Sequence, residues 1–321
     1  MTKKYYFRSL VASLVMIMLA MAAYSQEDKK VKSPPKGKAV MWQPVDIESR
    51  DLFYGPGGQA MLPDLSRIEF IKEEKEGHNK KFRIRDGKGR VWVAKLGREA
   101  KPETAAVRLL WALGYKSEIN YLVPTIAIPT QGTFENVRLE ARPDNIERLD
   151  EWKWRDNPFV GTKELEGLKM MMVFFNNWDV LDLQNKVLQV DGGELHYIVS
   201  DLGSTFGQLG SNNLPIIYRI GRSTGNPEDY LKTKFIDGVE DNIVDVAYRG
   251  KNRDLFEGFS TSDAAWLSGL LSRLSDKQIR DAFRAARYSP DEIELFATGV
   301  KNRISELKRA ATKESRMTAA K

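Results

Sequence analysis

Apolar and polar residues alternate in short runs along the first half of the chain, and recur at helical spacing in longer runs along the second. The alternation predicts strands over 68–71, 81–85 and 91–96, with Asp86-Gly87-Lys88-Gly89 as the hairpin turn between the last two. Apolar positions Ala106, Leu109, Leu110 and Leu113 then fall on one helical face of PETAAVRLLWALGY, which opens on Pro102 and closes at Gly114. Further strands are predicted over 121–129 and 133–141, and ARPDN reads as the turn out of the sheet.

From Lys163 the pattern changes to an apolar helix, ELEGLKMMMVFFNNW, followed by a hairpin over 187–199 around Asp191-Gly192-Gly193. Three helical stretches close the chain, with Ser262-Asp263, Ser275-Asp276 and Ser289-Pro290-Asp291 as their start signals. The predicted organisation is a β-rich half, 41–145, before a helical half, 146–309. A polar, proline-containing linker, 26–40, and a charged tail, 310–321, are expected to be disordered. The Trp-rich EWKWR at 151–155 reads as the segment linking the halves.

The start of the chain follows neither period. Lys3, Lys4 and Arg8 precede an uncharged apolar run, 10–23, and Ala23 and Ser25 supply small side chains for cleavage before Gln26. The run is shorter than the roughly 20 apolar residues of a spanning helix, so 1–25 is expected to be a removable signal and the remaining chain to have no stable membrane span. The expected location is outside the cytoplasm, periplasmic or secreted.

Composition narrows the chemistry. The chain has no cysteine and two histidines, His78 and His196, which excludes thiol nucleophiles, a lipoprotein anchor and zinc sites built on Cys and His. A catalytic metal would rest on carboxylate and amide oxygens, which suits Mg²⁺ or Mn²⁺. The net charge is +6, but the leader and the two basic ends carry more than that, leaving 39–300 mildly acidic. No nucleic-acid partner is therefore expected.

Four elements occur in a recognisable order: Lys95 ending VWVAK, Glu103 opening the next helix, NNWDVLDLQN after the apolar helix, and YIVSDLGSTFG after the hairpin. Over residues 68 to about 205 they resemble the protein-kinase-like fold. The atypical branch is nearest, with its phosphatidylinositol kinases, HipA-type kinases, and secretory-pathway and spore-coat kinases. The resemblance implies an α+β, two-lobed kinase-like fold: an antiparallel β-rich N-terminal lobe with one helix, and a mainly helical C-terminal lobe.

It also implies roles. Lys95 would neutralise nucleotide phosphates with Glu103 holding its ammonium, Asp179 would orient or deprotonate an attacking hydroxyl, and Asn185 and Asp201 would hold the metal. ATP with Mg²⁺ or Mn²⁺ would be the cofactors and a protein, sugar or lipid the acceptor. No G-x-G-x-x-G precedes Lys95, so phosphate cover falls to Gly77 and Asn79 within Gly77-His78-Asn79-Lys80, or to Gly55-Pro56-Gly57-Gly58 upstream. Asp179 to Asn185 is one residue longer than the usual spacing, which leaves Asp182 as a rival base, and Leu202 replaces the usual aromatic. Two functions fit: an active phosphotransferase, or a kinase-like binding module (pseudokinase) that transfers nothing.

Taken singly, each motif has a plainer reading. A strand Lys facing a helix Glu is ordinarily a surface salt bridge. Asp179 and Asn185 could cap a helix, and Asp201-Leu202-Gly203 could be a simple strand exit.

Overall fold

Alternation in the first half builds a five-stranded antiparallel sheet. In the computed structural model, which describes residues 36–75, 79–210 and 221–318, its strands are β2 (Glu69–Glu74), β3 (Lys81–Arg85), β4 (Val91–Lys95), β5 (Asn120–Ile128) and β6 (Gly132–Ala141). They lie in the order β2-β3-β4-β6-β5. Asp86 fixes the β3–β4 turn by accepting from the backbone N–H groups of Lys88 and Arg90 at 3.0 and 2.9 Å and from the Trp92 indole at 3.0 Å. One face buries Phe82, Ile84, Trp92, Ala94, Val137 and Leu139 together.

The helix α1 (Ala100–Ala112) covers the other face and is buried on nearly every side. Its Ala105, Ala106, Leu109 and Leu110 join the core of the helical half. Its Glu103 and Arg108 reach back to Arg138 on β6 and Asn120 on β5. A helix packed on both sides hides charges that the sequence pattern assigns to solvent.

A second sheet has the order β1-β9-β8-β7, from β1 (Lys38–Val40), β7 (Ile146–Arg148), β8 (Asn185–Val190) and β9 (Glu194–Val199). The strand β1 occupies the end of the expected linker. The open edge of β9 accepts it in parallel, and Val40 and Met41 are buried behind it. The expected leader, 1–25, and the linker up to residue 35 lie outside the described residues.

The helical half contains α2 (Lys163–Phe174), the short α3 (Pro227–Lys232), α4 (Thr261–Leu271), α5 (Asp276–Ala285) and α6 (Pro290–Thr318). The α2 helix is largely core, with Leu165, Leu168 and the run from Met170 to Phe174 buried. The start of α4 is capped by Ser260 and Asp263, two residues before the expected signal at Ser262. The α6 helix runs on to Thr318, where a tail from 310 was expected, because Leu307 and Ala310 continue its buried face. A small sheet, β10 (Ile236–Glu240), β11 (Ile243–Val246) and β12 (Phe259–Ser260), had no counterpart in the sequence reading. No helix among the described residues is long and apolar enough to cross a membrane. The result is α+β, an antiparallel sheet with one helix ahead of a mainly helical half.

Candidate functional site

Lys95 ends β4 between apolar neighbours and is followed by a sharp turn at Gly97, whose φ of 102° belongs to the left-handed region. That turn brings Glu103, in the first turn of α1, back onto the strand. Lys95 Nζ lies 2.9 Å from Glu103 Oε1, and the Glu103 side chain is only 2% exposed. Asn79 joins the same corner by donating from Nδ2 to Glu99 just before α1. Gly77 lies outside the described residues. The other candidate for phosphate cover, Gly55 to Gly58, is packed elsewhere: Tyr121 Oη donates to the Gly58 carbonyl at 2.6 Å and Gly55 sits against Arg108.

The Lys–Glu pair belongs to a larger buried set of charges. The β4–β6 register puts Arg138 directly opposite Lys95. Arg138, 0% exposed, reaches Glu140 at 2.6 Å, Glu103 at 3.3 Å and Glu118 at 3.7 Å. Glu118 and Glu140 are paired in turn with Arg148 and Arg142, and Arg148 donates to Ser200 at 3.0 Å. A chain of alternating charges therefore runs from Lys95 to the residue before Asp201. Sequence reasoning missed these residues. Their signal is Arg138 and Glu140 at alternate positions of β6.

Electrostatics follow from this packing. Burial works to lower the proton affinity of Lys95, but Glu103, with Asp201 and Glu140, outweighs it and holds the ammonium charged. Burial pushes the Glu103 carboxyl up to about 7, against the pull of Arg138 and Lys95. Burial would also raise Asp201; Lys95, the Gly203 N–H and Arg138 reverse this and keep its carboxylate ionised.

Asp201 follows β9, and its Oδ1 accepts from the Gly203 N–H at 3.2 Å. Gly203 is required by close approach: a Cβ there would stand 2.6 Å from Glu99 Cβ, at the start of α1. The loop then turns at Phe206, a fully buried aromatic with φ of 56°. Its ring meets Phe175, Tyr230 and Phe283 at 5.2, 5.2 and 5.1 Å between centroids, so helical-core packing fixes the loop carrying Asp201.

The loop after α2 is tied to the same region. The Trp178 N–H donates to the Ser204 carbonyl at 3.3 Å. Asp179 accepts from Gln184 Nε2 at 3.0 Å and pairs with Lys251, a partner with no sequence signal. Asp182 instead accepts from the Trp154 N–H at 3.0 Å. Asn185, 0% exposed, donates from Nδ2 to the Trp152 carbonyl at 3.0 Å, while its buried Oδ1 has no hydrogen-bond partner among the described residues. Strand register sets Asn185 opposite Val199, two residues before Asp201. EWKWR thus anchors the hairpin that carries the site.

The structure brings Lys95, Glu103, Asn79 and Asp201 into one neighbourhood and ties Asp179 and Asn185 to it through backbone. No described contact joins Asp179 directly to the Lys95 group. No family model matches the chain, and no curated protein matches it. Among solved structures, the crystal structure of the Helicobacter pylori proinflammatory kinase CtkA is similar, with a TM-score of 0.48 and 11% identity, covering 78% of this chain and 97% of that one. A likeness of that size leaves the chemistry of the site to its own geometry.

Proposed function

We propose that this chain is an exported kinase-like phosphotransferase that binds ATP with Mg²⁺ or Mn²⁺ between Lys95 and Asp201. The observation that carries this is the buried Lys95–Glu103 pair at 2.9 Å with an ionised Asp201 in electrostatic reach. A charged amine fixed at a strand end neutralises phosphate oxygens without reorganising. Asp201 Oδ2 and the unpartnered Asn185 Oδ1 are hard oxygen donors suited to Mg²⁺ or Mn²⁺. No three His, Cys, Asp or Glu side chains cluster as a metal site among the described residues, so a cation would share these two donors with phosphate oxygens. The metal would supply charge neutralisation along the phosphates. Asp179, unlike Asp182, does not cap a neighbouring backbone N–H, and is the better base; the acceptor would be a hydroxyl of a protein, sugar or lipid.

Calorimetric titration tests this. ATP with Mg²⁺ is expected to bind the wild-type chain, and Asp201→Asn to weaken binding about tenfold, the worth of one charge-assisted contact. Unchanged affinity in Asp201→Asn removes that residue from the metal site.

The raised Glu103 carboxyl predicts a pH dependence. Folding binds its proton more tightly than the unfolded chain does, since an ordinary Glu titrates at 4.5 against about 7 here. Its contribution to stability is therefore favourable at low pH and is lost as pH rises through 7. Nucleotide affinity moves the other way, because protonation below 7 releases Lys95. Affinity is expected to fall between pH 8 and pH 6 in the wild type and to be flat over that range in Glu103→Gln; equal slopes would take Glu103 out of the account.

A binding module without transfer is the second reading. It is favoured by the Asp179 carboxylate, which already holds Lys251 and Gln184.

A further inference from the structure

Where β6 leaves its sheet for β7, the chain encloses a half-open cavity of about 270 Å³. None of Lys95, Glu103, Asp179, Asn185 or Asp201 lines it. Its charged wall is one-sided: Arg50, Lys116, Arg142 and Arg148 face it against the single carboxylate of Glu118. His196 also lines it, and burial lowers its proton affinity, so it adds no charge at neutral pH.

These cations have donors to spare. Both contacts of Arg142, to the Ala141 carbonyl and to Glu140, use Nη1. Arg50 donates from Nη1 to the Trp111 carbonyl and lies 4.2 Å above the Trp111 ring. Lys116 holds Gln43 at 2.9 Å and Glu194 only at 3.6 Å. Beside Arg148 on the same sheet face, Ile146, Leu188 and Val190 line the cavity with apolar surface. Partly enclosed cations adjoining apolar side chains favour an anion with an apolar body over water, because the low local dielectric strengthens each charge contact.

We propose that this cavity is a second ligand site, separate from the nucleotide site, for a small organic carboxylate or phosphate with an apolar body. Its occupant competes with Glu118 for Arg148. It thereby touches the charge chain that holds Lys95 and Glu103.

Fluorine NMR of the full chain labelled with fluorotryptophan tests this, with the Trp111 resonance assigned by Trp111→Phe and phenyl phosphate as the probe. Phenyl phosphate is expected to shift that resonance saturably, while benzyl alcohol at equal concentration does not. Lys116→Gln, whose partners Gln43 and Glu194 are side chains outside the buried charge chain, is expected to weaken the probe about tenfold. Arg142→Gln should do the same if it folds, and saturating ATP with Mg²⁺ should leave the probe bound. Absence of a saturable shift, an equal response to benzyl alcohol, full affinity in Lys116→Gln, or displacement of the probe by ATP would each overturn the proposal.

Discussion

Replacing Arg138 by leucine is expected to destabilise the fold by about 3–5 kcal/mol, the cost of leaving buried carboxylates without their partner. Arg138 is 0% exposed and serves three of them, Glu103, Glu118 and Glu140. Lys95, Arg142 and Arg148 still pair one to one with Glu103, Glu140 and Glu118, but all three are partly exposed, so none replaces the fully buried charge that Arg138 places among the three carboxylates. Arg138→Lys should recover little, because one ammonium cannot address three carboxylates from a fixed fork. Arg138→Leu combined with Glu118→Gln should recover part of the loss by removing one stranded charge. Urea unfolding at unchanged m-value measures this. A cost below about 1 kcal/mol, the range of exposed pairs, would mean that water reaches the network.

That network also explains what could be read from the sequence and what could not. In β6, Val137 and Leu139 face the sheet core while Arg138 and Glu140 face the opposite way. Alternation of this kind ordinarily marks a strand with one wet face, so the charges read as solvated. The covering helix α1 reverses that meaning, and nothing local to β6 announces it. The Lys95 to Glu103 pairing was legible because both ends lie in strongly patterned elements eight residues apart, with Gly97 able to turn between them.

Elements without a period were not legible. In the small β10–β12 sheet, Val244 and Phe259 are buried but their neighbours are mostly exposed, and strands of two to five residues carry too little pattern to detect. Lys251, the partner of Asp179, comes from the irregular segment after that sheet. Gly55 to Gly58 shows the opposite error. Its glycines suggested a loop open to phosphate, whereas Gly57 is crowded by Tyr121, whose hydroxyl also holds the Gly58 carbonyl.

Asp179→Asn is expected to leave ATP affinity within about twofold of wild type and, if the chain transfers phosphate, to slow transfer by about 10²–10⁴-fold, the range for loss of a general base. The substitution keeps an oxygen acceptor for Gln184 Nε2 and removes only the negative charge that Lys251 pairs with. Lys251 is partly exposed, so its release costs little stability. Lys251→Met separates two meanings of the pair. If Lys251 positions Asp179 for the attacking hydroxyl, transfer falls while ATP binding holds; if it merely occupies the carboxylate, transfer rises. Should the wild type bind ATP yet pass no phosphate to protein, sugar or lipid with either Mg²⁺ or Mn²⁺, the binding module is the correct reading. That outcome would also fit the proposed location, because a compartment beyond the cytoplasmic membrane receives little ATP, and a site there is of use either when nucleotide is supplied to it or when holding the ligand is itself the function.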